Sequence, residues 1–119
     1  MVDRTAAGLG AAFAALGDPK RLAVVNALRR RPHRAGELAA VVATPPAALS
    51  RHLRVLRRSG LVVEEGLEQD ARVRVYRLSP AGFAAMRRWV GDLEALWTDQ
   101  LQSFKAYAEQ RAPAHRGPR

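Results

Sequence analysis

The chain has 119 residues, enough for one domain with a modest core, and 48% of them are hydrophobic, which favours a folded protein. Its formal net charge of +9 comes from 20 lysines and arginines against 11 aspartates and glutamates, and eighteen of these cations are arginine. Such a charge is typical of nucleic-acid binding, although anionic membranes or acidic partners also attract it. Because cysteine is absent, disulfides and thiolate metal sites are excluded.

Neither an enzyme nor a membrane protein is indicated. We recognise no glycine-rich phosphate loop, no nucleophile motif and no pair of carboxylates in an apolar pocket. No apolar run reaches membrane-spanning length, and the opening MVDRTAAGLG lacks the basic start and apolar core of a signal peptide. We therefore expect a non-catalytic protein of the cytoplasm that has no membrane partner.

Four helices are predicted before residue 61, each from apolar residues three or four positions apart. The first ends near Gly17, and the second starts at Asp18-Pro19, because aspartate caps helices and proline fits their first turn. Thr44-Pro45-Pro46 separates the third from the fourth. The inward positions, in chain order, are Leu9, Phe13 and Leu16; Leu22, Val25 and Leu28; Leu38, Val41 and, as a further candidate, Val42; and Leu49, Leu53 and Leu56.

A β-hairpin and a long helix are predicted to follow. Apolar alternation over residues 61–68 and 72–79 indicates two short strands around a loop. Ser79-Pro80 repeats the helix start, and the apolar stripe of the last helix is longer than a small core needs. The order α-α-α-α-β-β-α, mainly α with a β-hairpin wing, is that of a winged helix-turn-helix. We expect residues 1–112 to form one such domain and residues 113–119 to be a disordered tail.

The fourth predicted helix is the most basic part of the chain, since residues 44–62 carry four arginines and no acid. When its leucines face inward, four polar residues point away from the core: Ser50, Arg51, Arg54 and Arg58. Arg57 lies on the flank of the leucine stripe. Such a helix fits the major groove of DNA, where arginine and serine reach bases and phosphates. A solvated basic helix is the alternative, but solvated faces usually mix charges of both signs.

The predicted hairpin offers a second candidate contact. Its acids precede the turn or lie within it, whereas Arg72 and Arg74 follow. An arginine on a wing can probe the minor groove or bind phosphates. A structural hairpin, in which arginines and glutamates pair across the strands, is the alternative. This alternative stays open for Arg74, whereas DNA contact is favoured for Arg72.

Three segments carry a recognisable combination of residues: ALGDPKRLAVVNALRRRPHRAGELA, ALSRHLRVLRRSGLV and RVRVYRLSPAG. They fall within residues 14–79 and resemble the helix-turn-helix and wing signatures of the ArsR/SmtB family of bacterial winged-helix transcriptional regulators. The later segment WVGDLEALWTDQLQSFKAYAEQ is similar to the tryptophan-containing last helix of a metal-independent subgroup.

The resemblance implies a homodimer that represses transcription by binding an inverted repeat in double-stranded DNA. It places Ser50, Arg51 and His52 on the recognition helix and Arg72 on the wing. The first and last helices would form the dimer interface, through Leu9, Phe13, Leu93, Trp97, Leu101 and Phe104. Three alternatives remain: activation instead of repression, a sequence-blind architectural role, and a last helix that binds a different protein.

One departure from the family's pattern concerns base recognition. Where many relatives carry Ser-Gln-Pro-Thr or Ser-Gln-Pro-Ala, this chain has Pro-Pro-Ala-Ala at residues 45–48. The glutamine able to read adenine is therefore absent. Base recognition then falls to Ser50, Arg51 and Arg54, and the preferred DNA sequence cannot be taken from relatives.

A metal-responsive regulator is the remaining alternative. Sensors of this family use cysteines beside the third helix, or sets of Asp, His and Glu on the last helix, and this chain shows neither pattern. His52 belongs to the family signature, so a nickel or zinc site would have to form around His33 or His115, across the dimer or with the tail. We expect no metal or other cofactor, and the sequence identifies no effector.

Overall fold

The computed structural model describes residues 4–111, with side chains from Gly8 onward. Its elements are α1 (Arg4–Leu16), α2 (Pro19–Leu28), α3 (Ala35–Val41), α4 (Pro46–Arg58), β1 (Val62–Gly66), β2 (Arg74–Leu78) and α5 (Pro80–Arg111). The predicted fold class and element order are confirmed. The tail predicted to be disordered, residues 113–119, lies outside the described residues.

The chain divides into two compact units within α5. The first unit ends at Met86 and the second begins at Arg87. The hydrophobic core belongs to the first unit. Its most deeply buried side chains are Val24, Leu38, Leu49, Leu56, Leu61 and Val62. Within residues 4–111, no helix is both long enough and apolar enough to cross a membrane.

Both predicted cap-and-proline helix starts are present. The carboxylate of Asp18 accepts hydrogen bonds from the backbone N–H groups of Lys20 (2.8 Å) and Arg21 (3.1 Å). These bonds, above all the one from Arg21, lower the pKa of the Asp18 carboxyl because they favour its charged form. At α5, the hydroxyl of Ser79 accepts from the N–H of Gly82 at 3.2 Å. Satisfied N-terminal donors therefore fix where α2 and α5 begin.

Three apolar side chains that were predicted to face the core are exposed. Phe13 is 39% exposed, Leu22 45% and Val41 62%. The buried residues of α2 are Val24, Val25, Ala27 and Leu28, and at about 100° per residue Leu22 lies off the face that they share. The chain leaves the helix after Val41, and the turn carries Val42 into the core instead.

The hairpin is antiparallel and shorter than predicted, because the residues next to the loop lie in turns rather than strands. Tyr76 of β2 pairs with Glu64 of β1 on one side and with His33 on the other. His33 donates its backbone N–H to the Tyr76 carbonyl at 3.1 Å, and its own carbonyl accepts from the Tyr76 N–H at 2.8 Å. Because His33 is a single bridge residue and not part of a strand, the sequence around it shows no alternation of apolar and polar residues that would predict this pairing.

Close backbone contact sets the geometry where α4 ends and α5 begins. Gly60 has a φ of +82° and terminates α4, as expected for a helix C-terminal glycine. A Cβ at Gly82 would collide with the carbonyl oxygen of Gly60. Both positions therefore require glycine, the first for its conformation and the second for space.

Candidate nucleic-acid interface

The turn between α3 and α4 is held by a side chain from α2. The Nζ of Lys20 donates to the carbonyl oxygens of Val42 (2.8 Å) and Ala43 (3.3 Å). Ala43 has a φ of 52°, a conformation that residues other than glycine seldom adopt. A cation on the carbonyls at the end of α3 stabilises the negative end of that helix and the strained turn. Sequence reasoning missed this role, since Lys20 stands in no pattern that separates it from surface lysines.

One face of α4 anchors the helix and the opposite face is exposed. Leu49, Leu53 and Leu56 are at most 3% exposed. The exposed polar residues are Ser50, Arg51, Arg54, Arg57 and Arg58. Within the described part of the chain, no hydrogen bond or ion pair engages the side chains of Arg51, Arg54 or Arg58. These three guanidiniums are therefore available to phosphate oxygens or guanine edges.

The other arginine of α4 meets the hairpin at a shared carboxylate. Nη1 of Arg57 lies 3.5 Å from Oε1 of Glu64, and Nε of Arg74 lies 3.9 Å from Oε2. The hydroxyl of Tyr76 donates to the same Oε2 at 2.9 Å. Burial, and then this bond to a carboxylate, raise the pKa of Tyr76. Arg74 thus pairs across the hairpin, as its structural alternative predicted, with the carboxylate that Arg57 of α4 also contacts.

Arg72 lies in the turn before β2 and has a different partner. Its Nε and Nη2 donate to the two carboxylate oxygens of Asp70, at 3.1 and 3.2 Å. Hydrogen bonds from the guanidinium and the backbone N–H of Arg72 lower the pKa of the Asp70 carboxyl. The Arg72 side chain is nevertheless 91% exposed, so its remaining donors face solvent. Its assignment to DNA contact stays a prediction.

His52 is half-buried and lies off the exposed arginine face. Its Nδ1 is 3.4 Å from Nη1 of Arg21. Because a guanidinium only donates, Nδ1 accepts and Nε2 carries the ring proton. Arg21 also donates from Nε to the carbonyl of Ala15 at 2.7 Å, which connects the end of α1 to α4. His52 therefore contributes to the packing of α4, and its predicted contact with DNA stays a prediction.

Two histidines, His33 and His115, are the candidate metal ligands. Among the described residues, no group of three or more His, Asp and Glu side chains lies close enough to hold a metal ion. His33 is 6% exposed, and its Nδ1 donates to the carbonyl oxygen of Arg31 at 2.8 Å. His115, the second candidate ligand, lies outside the described residues.

From Trp89 to Tyr107, α5 carries a broad apolar face. The large side chains on it are between 40% and 70% exposed: Trp89, Val90, Leu93, Leu96, Trp97, Leu101, Phe104 and Tyr107. On α1, Phe13 is 39% exposed, whereas the smaller Ala12 and Ala15 are buried. Such continuous apolar surface marks an interaction site more often than a solvated surface.

Comparison with known proteins gives consistent matches. Residues 18–64 match the family described as "Bacterial regulatory protein, arsR family". The HTH-type transcriptional regulator Rv2034 of Mycobacterium tuberculosis is 38% identical over 93 residues, which cover 78% of this chain and 81% of that protein. The solved ArsR-like transcriptional regulator from Rhodococcus sp. RHA1 is 30% identical with a TM-score of 0.70, covering 91% of this chain and 95% of its own. NolR from Sinorhizobium fredii is also 30% identical, with a TM-score of 0.56 and coverage of 78% and 84%.

Proposed function

The chain belongs to the ArsR family of bacterial transcriptional regulators, and from this premise we propose that it is a homodimeric repressor of an inverted-repeat operator. In this proposal α4 enters the major groove of DNA. The wing, which comprises β1, β2 and the loop between them, reaches the flanking phosphates or the minor groove.

The exposed face of α4 is the observation that carries the proposal. Three arginines and Ser50 share that face, and no acid among the described residues pairs with Arg51, Arg54 or Arg58. A helix that is exposed only for solubility normally carries acids that pair with its cations. Buried leucines on the other face hold the helix rigidly, which base recognition requires.

The proposed homodimer rests on the apolar face of α5. Met86, Val90, Leu93, Trp97, Leu101 and Phe104 are spaced by four, three, four, four and three residues, so they form one stripe on a helix. An identical stripe on a second copy would cover it across a two-fold axis, with Leu9 and Phe13 of α1 contributing. Two recognition helices related by that axis read two half-sites of opposite orientation, as an inverted repeat supplies.

Selection of bound duplexes from a random DNA pool tests this proposal. We expect enrichment of an inverted repeat whose half-site centres lie about 10 bp, or one DNA turn, apart. A single enriched half-site would contradict the dimeric arrangement. A pool without enrichment would instead support a sequence-blind architectural protein that binds phosphates alone.

A further inference from the structure

One acidic side chain lines the groove between the basic helix α4 and strand β1. The groove between α4 and β1 is lined by Arg54, Arg57, Arg58, Val62, Val63 and Glu64. Glu64 is the first acid after a run of residues, 44–62, that has none. A carboxylate at this place repels phosphates, so its presence needs a physical reason.

The contacts of Glu64 show what it does in the free protein. Its side chain is 21% exposed, and it lies between Arg57 of α4 and Arg74 of β2, each about half exposed. Its orientation is fixed by the hydrogen bond from Tyr76. Glu65, the next residue, points to the opposite side of the strand, where it pairs with Arg77 at 2.8 Å. Only the first of these two adjacent acids therefore touches the recognition helix.

We propose that Glu64 is a specificity-determining residue, whose carboxylate keeps Arg57 and Arg74 from binding phosphates of arbitrary sequence. On non-specific DNA the two arginines then add little, because the Glu64 carboxylate offsets one of their two positive charges and the protein is not closely docked. On the operator, close docking brings phosphates to both guanidiniums, and the combined attraction of these phosphates exceeds that of the single carboxylate at 3.5 and 3.9 Å. The inference rests on the proposed docking of α4 and the wing.

A stabilising role alone does not explain the cluster. Ion pairs between partly exposed groups contribute little to folding, and the separations of 3.5 and 3.9 Å are long for strong pairs. Glutamine would retain an oxygen that accepts from the Tyr76 hydroxyl while removing the charge. Glu64→Gln therefore separates the electrostatic role from the structural one.

Fluorescence anisotropy over a salt series, on the selected duplex and a scrambled one, tests the inference. We expect Glu64→Gln to bind the scrambled duplex about tenfold more tightly, with a salt slope steeper by about one unit, because freed arginines displace further counterions. The gain on the selected duplex should be smaller, so the specificity ratio falls. Glu65→Gln removes the same charge from the other side of the strand and should change both affinities about equally.

Two outcomes would overturn the inference: an unchanged specificity ratio in Glu64→Gln, or identical behaviour of the Glu64 and Glu65 variants. Arg51→Ala separates these from a failure of the proposed function. If it weakens binding to the selected duplex, the docking stands and only the role of Glu64 is wrong; if it does not, the docking fails as well.

Binding of two arginine variants to the scrambled duplex tests the inference even if Glu64→Gln does not fold. Arg57 and Arg54 both belong to α4, but only Arg57 forms an ion pair with a carboxylate among the described residues. Arg57→Ala should therefore weaken binding to the scrambled duplex less than Arg54→Ala does. Equal losses from the two variants would contradict the inference.

Discussion

The arginines of the proposed interface differ in what holds each side chain. Arg51, Arg54 and Arg58 have no hydrogen-bond or ion-pair partner within the described residues, Arg57 and Arg74 share Glu64, and Arg72 pairs with Asp70. Helical spacing predicted correctly which arginines of α4 are exposed. The pairing of Arg57 with Glu64 could not be predicted, because it depends on the packing of β1 beside α4.

Arg51→Ala tests base recognition at the residue scale. Arg51 is exposed opposite the buried leucines, so we expect the variant to lose about 1–3 kcal/mol of discrimination at one base position. Binding measured against a panel of single-base operator variants checks this. Arg29→Ala, which removes one charge from the end of α2, should weaken binding without changing base preference. Unchanged preference in Arg51→Ala would move base recognition to another side chain.

Arg72→Ala tests the wing. As a phosphate or minor-groove contact, Arg72 should contribute on every sequence, so the variant should bind all duplexes more weakly and flatten the salt slope by roughly one unit. The slope is measured by titrations at several salt concentrations, with Arg29→Ala again as the equal-charge control. A slope equal to that of the control would remove Arg72 from the interface and leave its pairing with Asp70 as its role.

At the scale of elements, local signals predicted where helices begin better than which faces are buried. Aspartate or serine followed by proline marks a helix start by its own chemistry, and the starts of α2 and α5 are where the sequence placed them. Phe13, Leu22 and Val41 were wrongly assigned to the core, because burial depends on which elements pack against each helix, and spacing within one helix does not reveal that. The bridge of His33 to Tyr76 required the folded sheet for the same reason.

The close contact between Gly82 of α5 and Gly60 at the end of α4 predicts that Gly82 cannot be replaced without loss of stability, whereas Gly91, elsewhere on α5, can be. Gly82→Ala should destabilise the fold by about 1–3 kcal/mol, because a methyl group would collide with the Gly60 carbonyl. Gly91→Ala, at a position of α5 where a Cβ meets nothing within 4 Å, should stabilise the helix by roughly 0.5–1 kcal/mol. Thermal unfolding of both variants measures the difference. A Gly82→Ala variant as stable as the original protein would contradict the contact.

At the scale of the whole molecule, the length of α5 and its exposed apolar face are the main indication of assembly. The sequence predicted a helix that continues beyond the needs of the core, and α5 does extend to Arg111. A single chain leaves the side chains from Trp89 to Tyr107 between 40% and 70% exposed. What covers this face could not be read from one chain, so the homodimer stays a proposal.

Trp97→Asp tests that proposal, because it places an unpaired charge in the centre of the apolar stripe. We expect the variant to sediment as a monomer in analytical ultracentrifugation and to lose operator binding with it. Thr98→Asp adds the same charge to the next residue, which lies off the stripe, and should remain dimeric. An intact dimer in Trp97→Asp would place the interface elsewhere on the chain.

Recognition of a specific DNA sequence by the exposed arginines of α4 is tested by fluorescence anisotropy at physiological salt. The probe is duplex DNA from upstream of the gene, and a scrambled duplex is the competitor. We predict binding at nanomolar concentration that survives the competitor and does not change when divalent metals are added. Equal affinity for both duplexes, at whatever salt, would contradict sequence recognition by α4, and release by a metal would contradict a metal-independent regulator.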